Sequence, residues 1–116
     1  MKTWIYDNYG NCVGSMDEYY IMYDAGGGRM GYINYRSGEI FGPYDNYVGN
    51  LSLRGEIRNP MNEVCGYVNN DGEIYNSYRQ AVGYVTETDE YNRMMEGVSD
   101  VMSRIAGAAA WLLNFL

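Results

Sequence analysis

Ile74-Tyr75-Asn76-Ser77-Tyr78-Arg79-Gln80-Ala81-Val82-Gly83-Tyr84-Val85 closes a series of related units that fills most of the chain. Seventeen residues earlier stands Ile57-Arg58-Asn59-Pro60-Met61-Asn62-Glu63-Val64-Cys65-Gly66-Tyr67-Val68, with the same Ile, Asn, Gly, Tyr and Val in the same places. Working outward, the glycines Gly14, Gly31, Gly49, Gly66 and Gly83 are spaced 17, 18, 17 and 17 residues apart. An apolar residue lies two places beyond each: Met16, Ile33, Leu51, Val68 and Val85. Nine places before each glycine come Ile5, Met22, Ile40, Ile57 and Ile74, and Tyr6, Tyr23, Phe41 and Tyr75 follow four of them. A fixed short period is the signature of a repeat architecture, in which one unit cannot bury its apolar face without its neighbours.

The turn columns explain why the chain reverses. Seven places before each glycine the residues are Asp7, Asp24, Gly42, Asn59 and Asn76, and the next column holds both prolines, Pro43 and Pro60. Asx at the first position and Pro at the second favour a type I turn, because Pro presets φ and the Asx side chain accepts from the backbone. Two places further, four of Gly10, Gly27, Asp45, Asn62 and Arg79 tolerate a left-handed backbone. In three units the second link carries Ser37-Gly38, Arg54-Gly55 or Asp71-Gly72, and Asp-Gly is a strong two-residue hairpin signal. Each unit therefore reads as two short strands and two tight turns. Ten such strands joined by short links make an antiparallel meander.

The expected fold is mainly β: about five 17-residue hairpin repeats curled into a barrel-like or flower-like sheet over residues 1–87. A C-terminal helix over 88–116 is expected to pack on or into the same core, giving a single domain. The pleat puts the aliphatic columns on an inner face and the tyrosines on an outer one. It also assigns Val13, Met30, Val48, Cys65 and Val82, which precede the glycines, to the outer face. Glycine inside a strand is costly unless something approaches closely, and an aromatic ring or a helix over it would supply that contact.

Beyond Val85 the period changes. Thr88 reads as an N-cap with Asp89 and Glu90 in the first turn. Met94, Val98, Val101, Ile105, Ala108, Leu112 and Phe115 then recur at spacings of 4, 3, 4, 3, 4 and 3, an apolar seam. Gly97 and Gly107 weaken this helix by roughly 1 kcal/mol each relative to Ala, so tertiary contacts should hold it. The seam fits packing into the chain's own sheet, self-association, or engagement of a membrane by Ile105 to Leu116. That last run is shorter than the ~20 residues needed to span a bilayer.

Composition removes whole classes of chemistry. The 116 residues include 15 acids, 8 bases and no histidine, for a net charge of −7. Histidine-based triads, His-ligated zinc and an imidazole base are excluded. Lys2 is the only lysine. The acidic balance argues against nucleic acid, since phosphate contacts need clustered bases. Gly26-Gly27-Gly28-Arg29-Met30-Gly31 satisfies the G-x-G-x-x-G spacing, but the repeat puts it on a hairpin turn and not before a helix. Glu39, Glu56, Glu73 and Glu90 recur every 17 residues, a row better read as a solvated edge than as a calcium ladder. Catalytic residues, metal and cofactor are not expected. Cys12 and Cys65 read as apolar fillers in a reducing compartment. Met1 to Asp7 reaches an acid without an apolar stretch, so a cytoplasmic location is expected.

The units Ile5-Tyr6-Asp7-Asn8-Tyr9-Gly10-Asn11-Cys12-Val13-Gly14 and Ile74 to Val85 resemble those of the bacterial four-fold β-flower proteins. That family is built from radial hairpin units of the form aromatic-Asp-x-x-Gly-x-x-apolar-Gly-aromatic. This chain has five units where the family has four, and Arg79 where glycine stands there. The resemblance brings no activity and no site residue with it.

The functional hint in the residues themselves is tyrosine, 14 of 116. Its flat ring and polar tip suit contact surfaces. The same rings also make good cross-strand pairs. Tyr32, Tyr67, Tyr84, Tyr6, Tyr23 and Tyr75 are the candidate binding residues of a non-enzymatic binding or assembly module. A protein partner or self-association is the expected engagement, with a small molecule or glycan as a further ligand class. The other reading is a small sensor domain whose C-terminal helix drives oligomerisation or membrane engagement.

Overall fold

The computed structural model of the chain describes residues 2–86 and 100–116. Ten strands run in sequence order: β1 Thr3–Asp7, β2 Cys12–Met16, β3 Ile21–Asp24, β4 Arg29–Asn34, β5 Glu39–Phe41, β6 Tyr47–Leu51, β7 Glu56–Arg58, β8 Val64–Val68, β9 Glu73–Asn76 and β10 Ala81–Thr86. Each pairs antiparallel with its chain neighbours, and β1 pairs with β10 through Ile5 opposite Val85 and Tyr6 opposite Tyr84. The meander closes into a ten-stranded barrel with no free edge, which removes the usual site of strand-to-strand aggregation.

Turn chemistry sets the register. At the lower end the five links place Gly10, Gly27, Asp45, Asn62 and Arg79 in the left-handed region, the last at φ 62°. All five residues of the column adopt that conformation, Arg79 included. Asp7, Asp24, Asn59 and Asn76 each accept two backbone N–H groups through Oδ1; for Asn76 the donors are Tyr78 and Gln80. The upper links use the same device. The Gly72 N–H donates to Asn69 O, Asn69 Oδ1 accepts from Asp71 and Glu73, and Gly72 alone of the Asp71-Gly72 pair has positive φ. The upper turn is thus a four-residue type I turn closed by a left-handed residue. The Asp-Gly dipeptide yields to the Asn69 cap, so no two-residue hairpin forms.

Each repeat also contains a bulge. Ile5, Met22, Ile40, Ile57 and Ile74 lie opposite Gly14, Gly31, Gly49, Gly66 and Gly83, and the register shifts immediately beyond. The shift leaves Val13, Met30, Val48, Cys65 and Val82 as the extra residues. A bulge re-aims the side chain it inserts, and Val13, Val48, Cys65 and Val82 pack against the core. The strict alternation that assigned this column to the outer wall is corrected there.

The interior holds the aliphatic columns. Ile5, Met22, Ile40, Ile57, Ile74, Met16 and Val85 are fully buried, and Ile33 and Val68 nearly so. Through their ring runs α1, Asp100–Leu112. Six consecutive residues, Ile105 to Ala110, are buried. A helix packed on a surface buries one stripe, so burial on all sides requires an enclosing wall, and α1 touches strands around the whole circumference. Its run of Gly107 and four alanines keeps it thin enough to fit. A Cβ on Gly107 would already lie 3.0 Å from Val68 and Ile74 side-chain carbons.

Of the seam, Ile105 and Ala108 are buried inside this barrel, and Leu112 and Phe115, partly buried, pack against its core. Thr88, Asp89, Glu90, Met94, Val98 and the Val101 side chain lie outside what is described. The helix ends at Leu112, short of Phe115. The Phe115 N–H donates to Ala110 O and the Asn114 N–H to Trp111 O, with Asn114 at φ 67°. This Schellman turn redirects the last residues across the lower end.

There the strand glycines meet the tail one for one. A Cβ on Gly66 would lie 2.8 Å from Trp111 Nε1, and one on Gly49 would lie 2.8 Å from Leu112 Cδ1. The corresponding distances are 3.0 Å from Gly31 to Leu113 Cδ1, 3.6 Å from Gly14 to Phe115 Cδ1 and 2.8 Å from Gly83 to Leu116 Cδ2. In chain order the tail visits adjacent repeats around the ring. The Trp111 indole N–H also donates to Cys65 O at 3.1 Å. The close approach expected over the strand glycines is thus supplied by the tail.

Candidate functional site

The six wall tyrosines lie on the outside of the barrel, as the pleat requires, but do not converge on one site. Tyr6, itself buried, stacks on Tyr84 with centroids 5.1 Å apart. Tyr67 lies opposite Tyr75 and carries the Arg79 guanidinium 4.5 Å above its ring. Tyr32 stacks on Phe41 at 5.1 Å, under Arg29 at 5.5 Å. The Tyr23 hydroxyl donates to Asp17 Oδ2 at 2.8 Å, and Lys2 sits over both Tyr23 and Trp4. These contacts make a patchwork of cross-strand pairs and cation–π lids around the circumference. All six rings are partly or fully buried by their neighbours.

Their chemistry follows from those contacts. The hydrogen bond to Asp17 pushes the Tyr23 hydroxyl above the usual tyrosine range. Desolvation, then Glu73, does the same for Tyr75. Burial raises the Cys65 thiol, which makes it a poor nucleophile at neutral pH. Glu56 pairs with Arg58 at 2.9 Å, and Glu73 accepts from Asn69, so those members of the glutamate row serve local turns and strands. Glu90 lies outside the described residues. Among the described residues no three Cys, Asp or Glu side chains come together as a metal site.

The most exposed aromatic side chains stand elsewhere, at the lower hairpin tips. Tyr9 is 89 %, Tyr44 91 %, Met61 79 % and Tyr78 83 % exposed. They share one turn position, two residues past the Asx or Gly column, where the backbone N–H of Tyr9, Met61 and Tyr78 is held by the Asp7, Asn59 or Asn76 side chain. Gly26 fills the fifth place. A capped turn is a stiff mount for Tyr9, Met61 and Tyr78, and Tyr44 projects from the equivalent turn, which begins at Gly42 and is closed by backbone bonds. Sequence reasoning aimed at the wall missed them, although the column Tyr9, Gly26, Tyr44, Met61, Tyr78 is visible once the turns are aligned. The opposite end exposes Tyr19, Tyr35 and Leu53, with Tyr35 stacked on Tyr20 at 4.7 Å.

Comparison of the chain with protein-family models, with curated proteins and with solved structures finds no match. Among the described residues no helix is long and apolar enough to cross a membrane.

Proposed function

We propose that the protein is a non-enzymatic binding or assembly module that presents tyrosine from a rigid barrel. The supporting observation is the contrast between the two tyrosine sets. Tyr6, Tyr23, Tyr32, Tyr67, Tyr75 and Tyr84 are engaged along the wall, whereas Tyr9, Tyr44 and Tyr78, with Met61, stand largely in water on the tight lower turns. An exposed Tyr on a stiff turn offers contact area at low entropic cost on binding, the property that enriches Tyr at recognition surfaces. The proposed partner is a protein or a second copy of this chain, met by the lower hairpin tips. The free thiols Cys12 and Cys65 support a reducing compartment, and we place the protein in the cytoplasm.

The test is site-specific photo-crosslinking of the full chain in its native cells, with a photoreactive phenylalanine analogue at Tyr9, Tyr44 or Tyr78 and, as control, at Asn70 on the opposite end. The reading requires a discrete adduct from the tip positions and none from position 70. Absence of adducts at all three tips would overturn it.

A further inference from the structure

One row of the outer wall departs from the others. The residue that follows each strand glycine stands between a neighbour on either adjacent strand, and in four repeats it is large: Tyr32, Asn50, Tyr67 or Tyr84. In the first repeat it is Ser15, which lies opposite Trp4 on β1 and Tyr23 on β3. The place of Trp4 is taken by Ile21, Glu39, Glu56 and Glu73 in the other repeats. Among the described residues, Trp4–Ser15–Tyr23 is thus the one such row in which two aromatic side chains flank a small one. Strands lie about 4.8 Å apart, so the backbones carrying the two rings are about 9.6 Å from each other. The short Ser15 side chain leaves a slot between them, with buried Ser15 as its floor.

A cation lies over that slot. Lys2 Nζ is 5.5 Å from the Trp4 ring centroid and 6.0 Å from that of Tyr23. Both rings therefore turn a face toward one ammonium, at the ~6 Å reach of a cation–π contact. The Tyr23 hydroxyl donates to Asp17 Oδ2 at 2.8 Å, which steadies the ring and puts a carboxylate beside it. Lys2, the only lysine of the chain, is exposed. A primary ammonium is strongly hydrated and carries three N–H donors that ring faces satisfy poorly. A fully methylated ammonium has no N–H to leave unpaired and gains more from the same two faces.

We propose that Trp4 and Tyr23, over the Ser15 floor, bind the quaternary ammonium group of a small molecule, for which the Lys2 ammonium stands in as the chain's own plug. The site lies on the wall and shares no residue with the tyrosine tips.

The experiment is NMR titration of the full chain with choline, glycine betaine and the neutral tert-butyl analogue of choline, followed at the Trp4 indole N–H and the Ser15 and Tyr23 amides. Choline or glycine betaine should shift these signals, and which binds tighter shows whether the rest of the ligand is neutral or anionic. The neutral analogue should bind about tenfold more weakly. The Trp111 indole N–H, held by Cys65 O, should not move. Lys2→Gln, an exposed change, should tighten binding by removing the plug. Ser15→Tyr gives the first repeat the residue that three others carry there, so it should unfold near the parent's temperature and no longer bind. Trp4→Leu, which keeps apolar bulk without a ring face, should lose binding too, while Y9A/Y44A/Y78A should bind as the parent chain does. Failure of both ammonium ligands to bind, equal binding of the neutral analogue, or affinity in K2Q no higher than in the parent would overturn the proposal.

Discussion

Leu112 occupies the space that a side chain on Gly49 would need. Its Cδ1 lies 2.8 Å from the position of a Cβ there, while the Arg58 carbonyl oxygen closes the other side and Gly49 itself sits at φ 147°. The same kind of relationship joins Gly31 to Leu113, Gly66 to Trp111 and Gly83 to Leu116, while Phe115 lies in ordinary van der Waals contact over Gly14. Barrel and tail are thus parts of one core, each shaped to the other.

Gly49→Ala should therefore lower stability by about 3 kcal/mol, combining overpacking with an unfavourable backbone conformation. Leu112→Ala should cost about 2 kcal/mol through the space it leaves. In the double variant the penalty of Gly49→Ala should shrink but persist, because the Arg58 carbonyl remains. Urea unfolding at constant slope reads all three.

Ala108→Leu separates the two uses of the seam. On a seam that zips against another helix, leucine would strengthen association. Ala108 is fully buried inside the barrel, so leucine should cost about 3 kcal/mol or prevent folding. Thermal unfolding and sedimentation velocity of the full chain check this, and tighter oligomers at undiminished stability would contradict it.

Arg79→Gly should change stability little, and upward. Releasing a non-glycine residue from φ 62° recovers about 1 kcal/mol, and losing the guanidinium over Tyr67 removes about 0.5 kcal/mol. Arg79→Ala, which keeps the strain and loses the contact, should be less stable than both. Thermal denaturation of the three chains side by side decides the order.

Two turns carry pH dependence of opposite sign. The Asn11 backbone N–H, with that of Tyr9, holds the Asp7 carboxyl below the usual range. Its contribution is complete above the ordinary carboxylate pKa and is lost as pH falls through the folded value. Asp7→Asn, which keeps the acceptor, should flatten that acid limb. The Tyr23 hydroxyl, raised by Asp17, stabilises fully below the ordinary tyrosine pKa of about 10 and loses its contribution as pH rises through the folded value. Asp17→Asn should bring Tyr23 ionisation back toward pH 10 in an ultraviolet titration.

Much of the architecture is legible in the residues because a repeat writes each rule five times. The Asx and glycine turn columns, the aliphatic Ile5-to-Ile74 column and the glycines needing a close neighbour all have local physical causes. The bulge is harder to read. Val13, Val48, Cys65 and Val82 turn inward because the register slips after each Ile–Gly pair, and alternation along one strand carries no trace of its partner. The pairing of Trp111, Leu112, Leu113, Phe115 and Leu116 with particular glycines depends on matching a helical step of about 100° per residue to five-fold spacing, with Asn114 reversing the chain. That match exists only in three dimensions. The tips carrying Tyr9, Tyr44 and Tyr78 were overlooked for a simpler reason: strand periodicity draws attention to the wall, and a turn side chain has no strand face.

The account rests on α1 being enclosed by the closed barrel, and native-state amide hydrogen exchange tests this most directly. Enclosure predicts that the amides of Ala108 to Ala110 exchange only through global unfolding, at the same free energy as the slowest amides of Ile40 and Ile57. Exchange of those alanine amides within minutes, while the strand amides stay protected, would contradict it.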